Sequence, residues 1–189
     1  MSTVRLWTTQ NMKVLKDIEE KGVYKVNTAS ILAKYDTCAD LFMNVYKWFS
    51  KAAGAIVPKP PGVQFPVWAA MDKEFSFGLT EGQVRLELEV DIENVIIFDS
   101  GKWDYILNYW YIPENKADEL KYEEKLQSLG IKNKSLIYMQ NFYPTLKREV
   151  ENSWGRLFDP SIRISEINQA TLWEIRAEWI KDKQTLITN

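Results

Sequence analysis

The stretch VRLELEVDIENVIIFDSGKWDYILNYWYI, Val84 to Ile112, decides the fold. Val84, Leu86, Leu88 and Val90 alternate with Arg85, Glu87, Glu89 and Asp91, a period of two that turns one face to a core and the other to water or a ligand. That pattern predicts a half-buried antiparallel strand. After Glu93-Asn94, the β-branched run Val95-Ile96-Ile97-Phe98 predicts a short strand buried on both faces. Asp99-Ser100-Gly101 turns the chain, because Asp and Ser bond nearby backbone amides and Gly tolerates positive φ. From Lys102 to Tyr111, Trp103, Ile106, Leu107 and Trp110 recur at helical spacing, and Pro113 ends the helix so predicted.

Working outward toward the N-terminus, Val4 to Thr8 predicts a first strand with Arg5 and Trp7 on one face. Thr8 or Thr9 is positioned to cap a helix carrying Met12, Val14, Leu15 and Ile18 as its stripe and stopping at Gly22. Val23 to Val26 reads as a second strand. Asn27-Thr28 and Ser30 open a helical region to Ala53, with Asp36-Thr37 a candidate break. Val57 to Pro66, with four prolines, reads as a surface loop leading into strand Val67 to Ala70. Toward the C-terminus, Lys116 to Leu129 is a charged helix anchored by Leu120, Leu126 and Leu129 and ended by Gly130; Ser135 to Tyr143 and Pro144 to Trp154 are further helices. Gln169 to Ile175 is an alternating strand, and after a short connection comes a last apolar piece at Thr185 to Ile187. The expectation is one α+β domain over residues 1–189, a mixed or mostly antiparallel sheet of about five to six strands with inserted helices.

Composition narrows the chemistry. Of 189 residues, 46% are hydrophobic, enough for a substantial core, and the formal net charge of -2 offers no broad field for nucleic acid or an anionic membrane. Histidine is absent, which removes Ser-His and Cys-His nucleophile pairs and the commonest transition-metal ligand. The single Cys38 excludes an internal disulfide and a multi-cysteine metal site and fits a reducing compartment. No metal site is expected: Asp91, Glu93 and Asp99 lack a calcium-loop spacing and read as a solvated strand edge. No apolar run approaches the ~20 residues of a membrane span, and the expected location is the cytoplasm.

LWTTQ (Leu6 to Gln10), PVWA (Pro66 to Ala69), WDYILNYWYIP (Trp103 to Pro113), SWGRLFD (Ser153 to Asp159) and QATLWEI (Gln169 to Ile175) resemble, in order, the spaced motifs of a bacterial and phage domain-of-unknown-function family. In that family PVWA commonly continues with another aromatic, where Ala70 stands here. The order of elements also resembles the ADP-ribosyltransferase superfamily. That resemblance implies NAD as ligand, Arg5 or Thr8 gripping the nicotinamide ribose, and Tyr24 or Tyr46 stacking on the nicotinamide. The late-strand carboxylate position falls on Gln169, a departure: an amide can bond a ribose hydroxyl but cannot act as a base. Glu174 and Glu178 are the nearby carboxylates.

Eight tryptophans, with aromatics at 13%, imply either a heavy core or a stacking surface. Thr8, Gln10, Asn108 and Gln169 beside Trp7, Trp68, Trp103 and Trp173 put hydrogen-bonding edges next to ring faces, a mixture that suits a planar heterocycle. In the alternative each indole is a core residue satisfied by such an amide. Asp99 caps a helix or serves as a general base or ribose ligand, whereas Ser153 and Asp159 read as capping and turn residues. The candidate site is therefore Gln169 and Asp99 as catalytic groups with Arg5, Thr8, Gln10, Tyr24, Trp68, Trp103 and Asn108 binding substrate. Two functions follow: a nucleotide-binding protein with NAD as the implied ligand, or a non-catalytic phage or mobile-element factor that binds a host or defence protein through exposed anchors such as Trp48 or Trp179.

Overall fold

The structure is a computed structural model, and it describes residues 2–26, 28–29, 31 and 39–186. The readings at Asp36-Thr37, Cys38 and Ile187 lie outside the described residues. The chain falls into two compact units, Met1–Ile97 with Gln169–Asn189, and Phe98–Asn168.

The fold is α+β, with a six-stranded antiparallel sheet. Its strands are β1 (Thr3–Asn11), β3 (Val67–Ala70), β4 (Gln83–Asp91), β5 (Ile96–Asp99), β6 (Asn168–Leu172) and β8 (Ile180–Thr185), in the order β5-β6-β3-β1-β4-β8. A separate ribbon pairs β2 (Val23–Tyr24) with β7 (Ile175–Arg176).

In the first unit the alternation of β4 is realised along its whole length. Val84, Leu86, Leu88 and Val90 are all fully buried. Opposite them on β1 lie Gln10, Thr8, Leu6 and Val4, so this set forms one face. Helix α1 (Lys13–Lys21) covers that face with Val14 and Ile18, and Ala170 and Leu172 of β6 complete the core. Each fully buried Leu or Val stabilises the fold by about 1.5 to 3 kcal/mol. The opposite face carries Arg5, Trp7 and Thr9 of β1. Helix α2 (Ala39–Ala53) packs there, the rings of Tyr46 and Phe49 lying 5.6 and 5.0 Å from that of Trp68.

The second unit is mainly helical. It contains α3 (Ser100–Leu107), α4 (Lys116–Ser128), the single turn α5 (Leu136–Met139) and α6 (Pro144–Ser153), followed by a 3-10 segment at Trp154–Phe158. Its aromatic core stacks Tyr109 on Tyr138 at 4.4 Å and Tyr138 on Trp154 at 5.5 Å.

Several boundaries differ from the sequence reading. Thr8 and Thr9 lie inside a longer β1 rather than capping α1, and Asn11 Oδ1 accepts from Lys13 N–H instead. Helix α3 stops at Leu107, because Asn108 caps it and Tyr109 takes a positive φ of 58°, so Trp110 is not part of its stripe. In α4 the anchors are Tyr122 and Leu126, while Leu120 and Leu129 are exposed. The Ser135 to Tyr143 helix is the single turn α5. The last strand is β8, which pairs with β4 through a charged sequence that has no apolar alternation.

Candidate functional site

Sheet register sorts the expected site residues of the first unit by face. Trp7 pairs with Ala70, and Ala70 with Gln169, so these three form a row across β1, β3 and β6. Trp68 pairs with Thr171 one step along the same face, and Arg5 follows two residues before Trp7. The register therefore brings Arg5, Trp7, Trp68 and Gln169 to one face. Thr8 and Gln10 point to the other, into the core with Leu6 and Leu86. There the Thr8 hydroxyl donates to Trp68 O at 2.7 Å and accepts from Gln10 Nε2 at 2.7 Å. Both polar groups are thus used in tying β1 to β3. Tyr24 sits on the two-stranded ribbon opposite Ile175.

The row Trp7-Ala70-Gln169 has a distinctive chemistry. Trp7 Nε1 is buried and has no hydrogen-bond partner among the described residues. The Gln169 carboxamide makes no side-chain hydrogen bond among the described residues. Two strand spacings, about 10 Å, separate the ends of the row, and the methyl of Ala70 between them leaves the middle low. On the same face Thr171 Oγ1 and Arg85 Nε are also buried without partners among the described residues. Unpaired buried polar atoms are rare, and each calls for an explanation such as a ligand or ordered water. Arg5 faces Glu87 at 3.4 Å. Glu174 is buried between Lys25 at 3.6 Å and Arg176 at 2.7 Å, and Trp173 donates its indole N–H to Val57 O at 2.7 Å.

In the second unit, Asp99, Trp103 and Asn108 all serve α3. The Asp99 carboxylate accepts from Lys102 N–H as the helix cap, and from Ile164 and Ser165 N–H at 2.9 and 3.0 Å. Gly101 permits that approach, since a Cβ there would stand 2.9 Å from Ile164 Cγ2. Burial alone would raise the Asp99 carboxyl, but the amides of Ser165, Ile164, Lys102 and Gly101 outweigh it and hold it below its ordinary value of 3.8. A carboxylate so stabilised is a weak base at neutral pH. Lys102, 1% exposed, donates from Nζ to Asp159 O at 2.7 Å and Arg156 O at 2.9 Å. Its burial lowers its pKa below 10.5, partly offset by Asp99 and Asp159. Trp103 is buried, its ring edge-on to Phe98 at 6.3 Å, and Asn108 Nδ2 donates back to Asp104 O. Asp159 plays the turn role read from sequence, its Oδ1 accepting from Ser161, whereas Ser153 makes no side-chain cap bond: its Oγ donates to Val150 O and accepts from the distant Ile112 N–H.

Sequence reasoning missed a groove of about 720 Å³ in the first unit, lined by Lys47, Ser50, Lys51, Lys59, Gln64 and Phe65 among others. The signal was available: Lys47 and Lys51 stand four apart on α2, and Lys59 lies in the proline-rich loop that follows.

A family model for a domain of unknown function, DUF3841, matches residues 5–181, and the chain belongs to that family. No curated protein and no solved structure matches it. Among the described residues no helix is long and apolar enough to cross a membrane.

Proposed function

We propose that this protein binds a nucleotide, NAD being the first to test, on the sheet face that carries Trp7, Ala70 and Gln169. The observation that supports this reading is the pair of unused hydrogen-bonding groups, the Trp7 indole N–H and the Gln169 carboxamide, flanking the small Ala70. A planar heterocycle seated there would stack on an indole and have its edge read by the amide, each stacked base contributing about 1 to 3 kcal/mol. Arg5 on the same face, 66% exposed and 3.4 Å from Glu87, would supply a cation for a phosphate by exchanging that surface partner. The proposal is binding rather than transfer, since glutamine holds the place at which the ADP-ribosyltransferase resemblance requires a carboxylate, and Glu174 is already paired. Thermal denaturation with NAD, ADP and nicotinamide is the test. The expected result is a saturable rise in Tm, about 2.7 kcal/mol of stabilisation at a hundredfold excess over Kd, that Gln169→Ala removes without changing the apo Tm. No rise at millimolar ligand would overturn it.

A second reading, binding of a protein partner, is favoured by Phe75 and Phe77, which are 57% and 70% exposed. Thr9 Oγ1 and Arg85 both donate to Phe77 O, so this loop is held while its ring faces water. On that reading the double substitution of Phe75 and Phe77 by Ser leaves any nucleotide response intact and abolishes a stoichiometric complex with a host protein.

A further inference from the structure

The first unit holds a second feature with residues of its own, the groove between the C-terminal part of α2 and the proline-rich loop. Three ammonium groups line it, from Lys47, Lys51 and Lys59, and among the described residues none of them lies within ion-pair distance of a carboxylate. Other lysines of this chain are paired, for example Lys21 with Asp17, Lys125 with Glu149 and Lys134 with Glu123. Lys59 also lies 5.7 Å from the Trp173 ring, a contact that leaves its charge uncompensated by any anion. Ser50 lies between Lys47 and Lys51 in sequence. It lines the same groove, is 3% exposed, and its hydroxyl is buried with no hydrogen-bond partner among the described residues.

A lysine in a helix's last turn offsets the helix dipole, and that alone would account for Lys51. It accounts neither for Lys59, which comes from the loop, nor for the unpaired hydroxyl. In a helix a serine ordinarily bonds the carbonyl three or four residues back, so an unpartnered buried Oγ marks a donor held for something else. Gln64, on the groove wall, is fixed by accepting from Thr28 N–H at 3.0 Å and from its hydroxyl at 2.7 Å, and its amide N–H₂ makes no bond among the described residues. Cations, a hydroxyl and an amide donor thus meet in a groove with no carboxylate among its lining residues, and the volume lies within the range of small-molecule sites.

We propose that this groove is a binding site for a small phosphate-bearing anion, held by Lys47, Lys51 and Lys59 with the Ser50 hydroxyl donating to a phosphate oxygen. The site is distinct from the Trp7-Gln169 face and stands whether or not a nucleotide binds there. The test is calorimetric titration of the full chain with pyrophosphate at constant ionic strength, against chloride and adenosine. Pyrophosphate should bind saturably, and Lys51→Gln and Lys59→Gln should each weaken it about fivefold, as expected for loss of one charge-assisted hydrogen bond. Ser50→Ala should weaken it about threefold while leaving the apo Tm unchanged or higher, because it removes an unsatisfied donor. Gln169→Ala should leave pyrophosphate binding untouched, so failure of the nucleotide reading and failure of this one are separate results. Heat no greater than with chloride, or binding indifferent to all three groove substitutions, would overturn the proposal. So would tight binding of a single-stranded oligonucleotide with no pyrophosphate response, which would make the groove a polymer track.

Discussion

The two units treat their buried polar groups in opposite ways. In Phe98–Asn168, Asp99 and Lys102 are among the most deeply buried charges of the chain, and each is surrounded by main-chain partners. Among the described residues, Trp7, Thr171, Arg85 and Ser50 of the sheet unit carry buried polar atoms with no partner, while the helical unit has one such atom, the Tyr122 hydroxyl. A satisfied buried charge is structural, since its hydrogen bonds define a unique backbone arrangement and leave nothing for a ligand. An unsatisfied buried donor costs roughly 1 to 3 kcal/mol and is where a ligand finds binding energy. By this contrast Asp99 organises a fold, and Trp7 and Ser50 hold the open donors on which the two binding proposals rest.

The contrast breaks most visibly at Asp99. Asp99→Asn keeps the shape but puts an amide N–H₂ where a carboxylate oxygen accepted, so a donor faces the backbone N–H groups of Lys102, Ile164 and Ser165. The expected loss is about 3 kcal/mol in denaturant unfolding, in the range for removing one member of a buried charged network. The pH dependence gives a second readout. The folded carboxyl titrates below 3.8, so its stabilisation is present above that pH and is lost as pH falls through the folded value. The gap between wild type and Asp99→Asn should therefore close below about pH 4. A variant as stable as wild type at pH 7 would return Asp99 to the list of groups free for chemistry.

Lys102→Met is the next largest. The thioether fills the space of the stem but leaves Arg156 O and Asp159 O without their donor, at an expected cost of about 2 kcal/mol. Because the folded ammonium titrates below 10.5, the unfolded chain holds more protons between the folded value and 10.5, and wild-type stability rises with pH across that window. Lys102→Met should lack that rise. Equal slopes in the two proteins would show that the ammonium is solvated rather than enclosed.

How far the sequence carries this reading depends on what each residue had to reveal. The strand β4 was legible because alternating residues meet unlike environments, and four apolar side chains sharing one face leave no second register. The same logic, applied one strand over, assigns Thr8 to the core with Leu6, and the polarity of Thr8 concealed it. Asp99 as a cap was legible from the Asp-Ser-Gly turn, but its bonds to Ile164 and Ser165 span 65 and 66 residues and carry no local pattern. The end of α3 was hidden because Trp110 continues the apolar spacing past the positive φ of Tyr109. Strand β8 was missed because an edge strand packed on one partner through charged side chains has no hydrophobic period.

The smallest expected effect has the opposite sign. Thr171 is completely buried on β6, opposite Trp68, with its hydroxyl unpaired. Thr171→Val replaces that hydroxyl with a methyl of nearly the same size, keeps the β-branched shape that suits a strand, and removes a desolvated group that makes no bond. The expected result is a gain of about 1 kcal/mol, read as a higher denaturation midpoint with an unchanged slope. Should the hydroxyl instead bond a water or a ligand atom when the protein is loaded, the gain in the apo protein would be matched by weaker nucleotide protection, tying the unpaired atoms of this face to binding. A loss of stability in the apo protein would mean that Thr171 is satisfied after all, and the division between a unit with paired polar groups and one with open ones would fail at its most buried member.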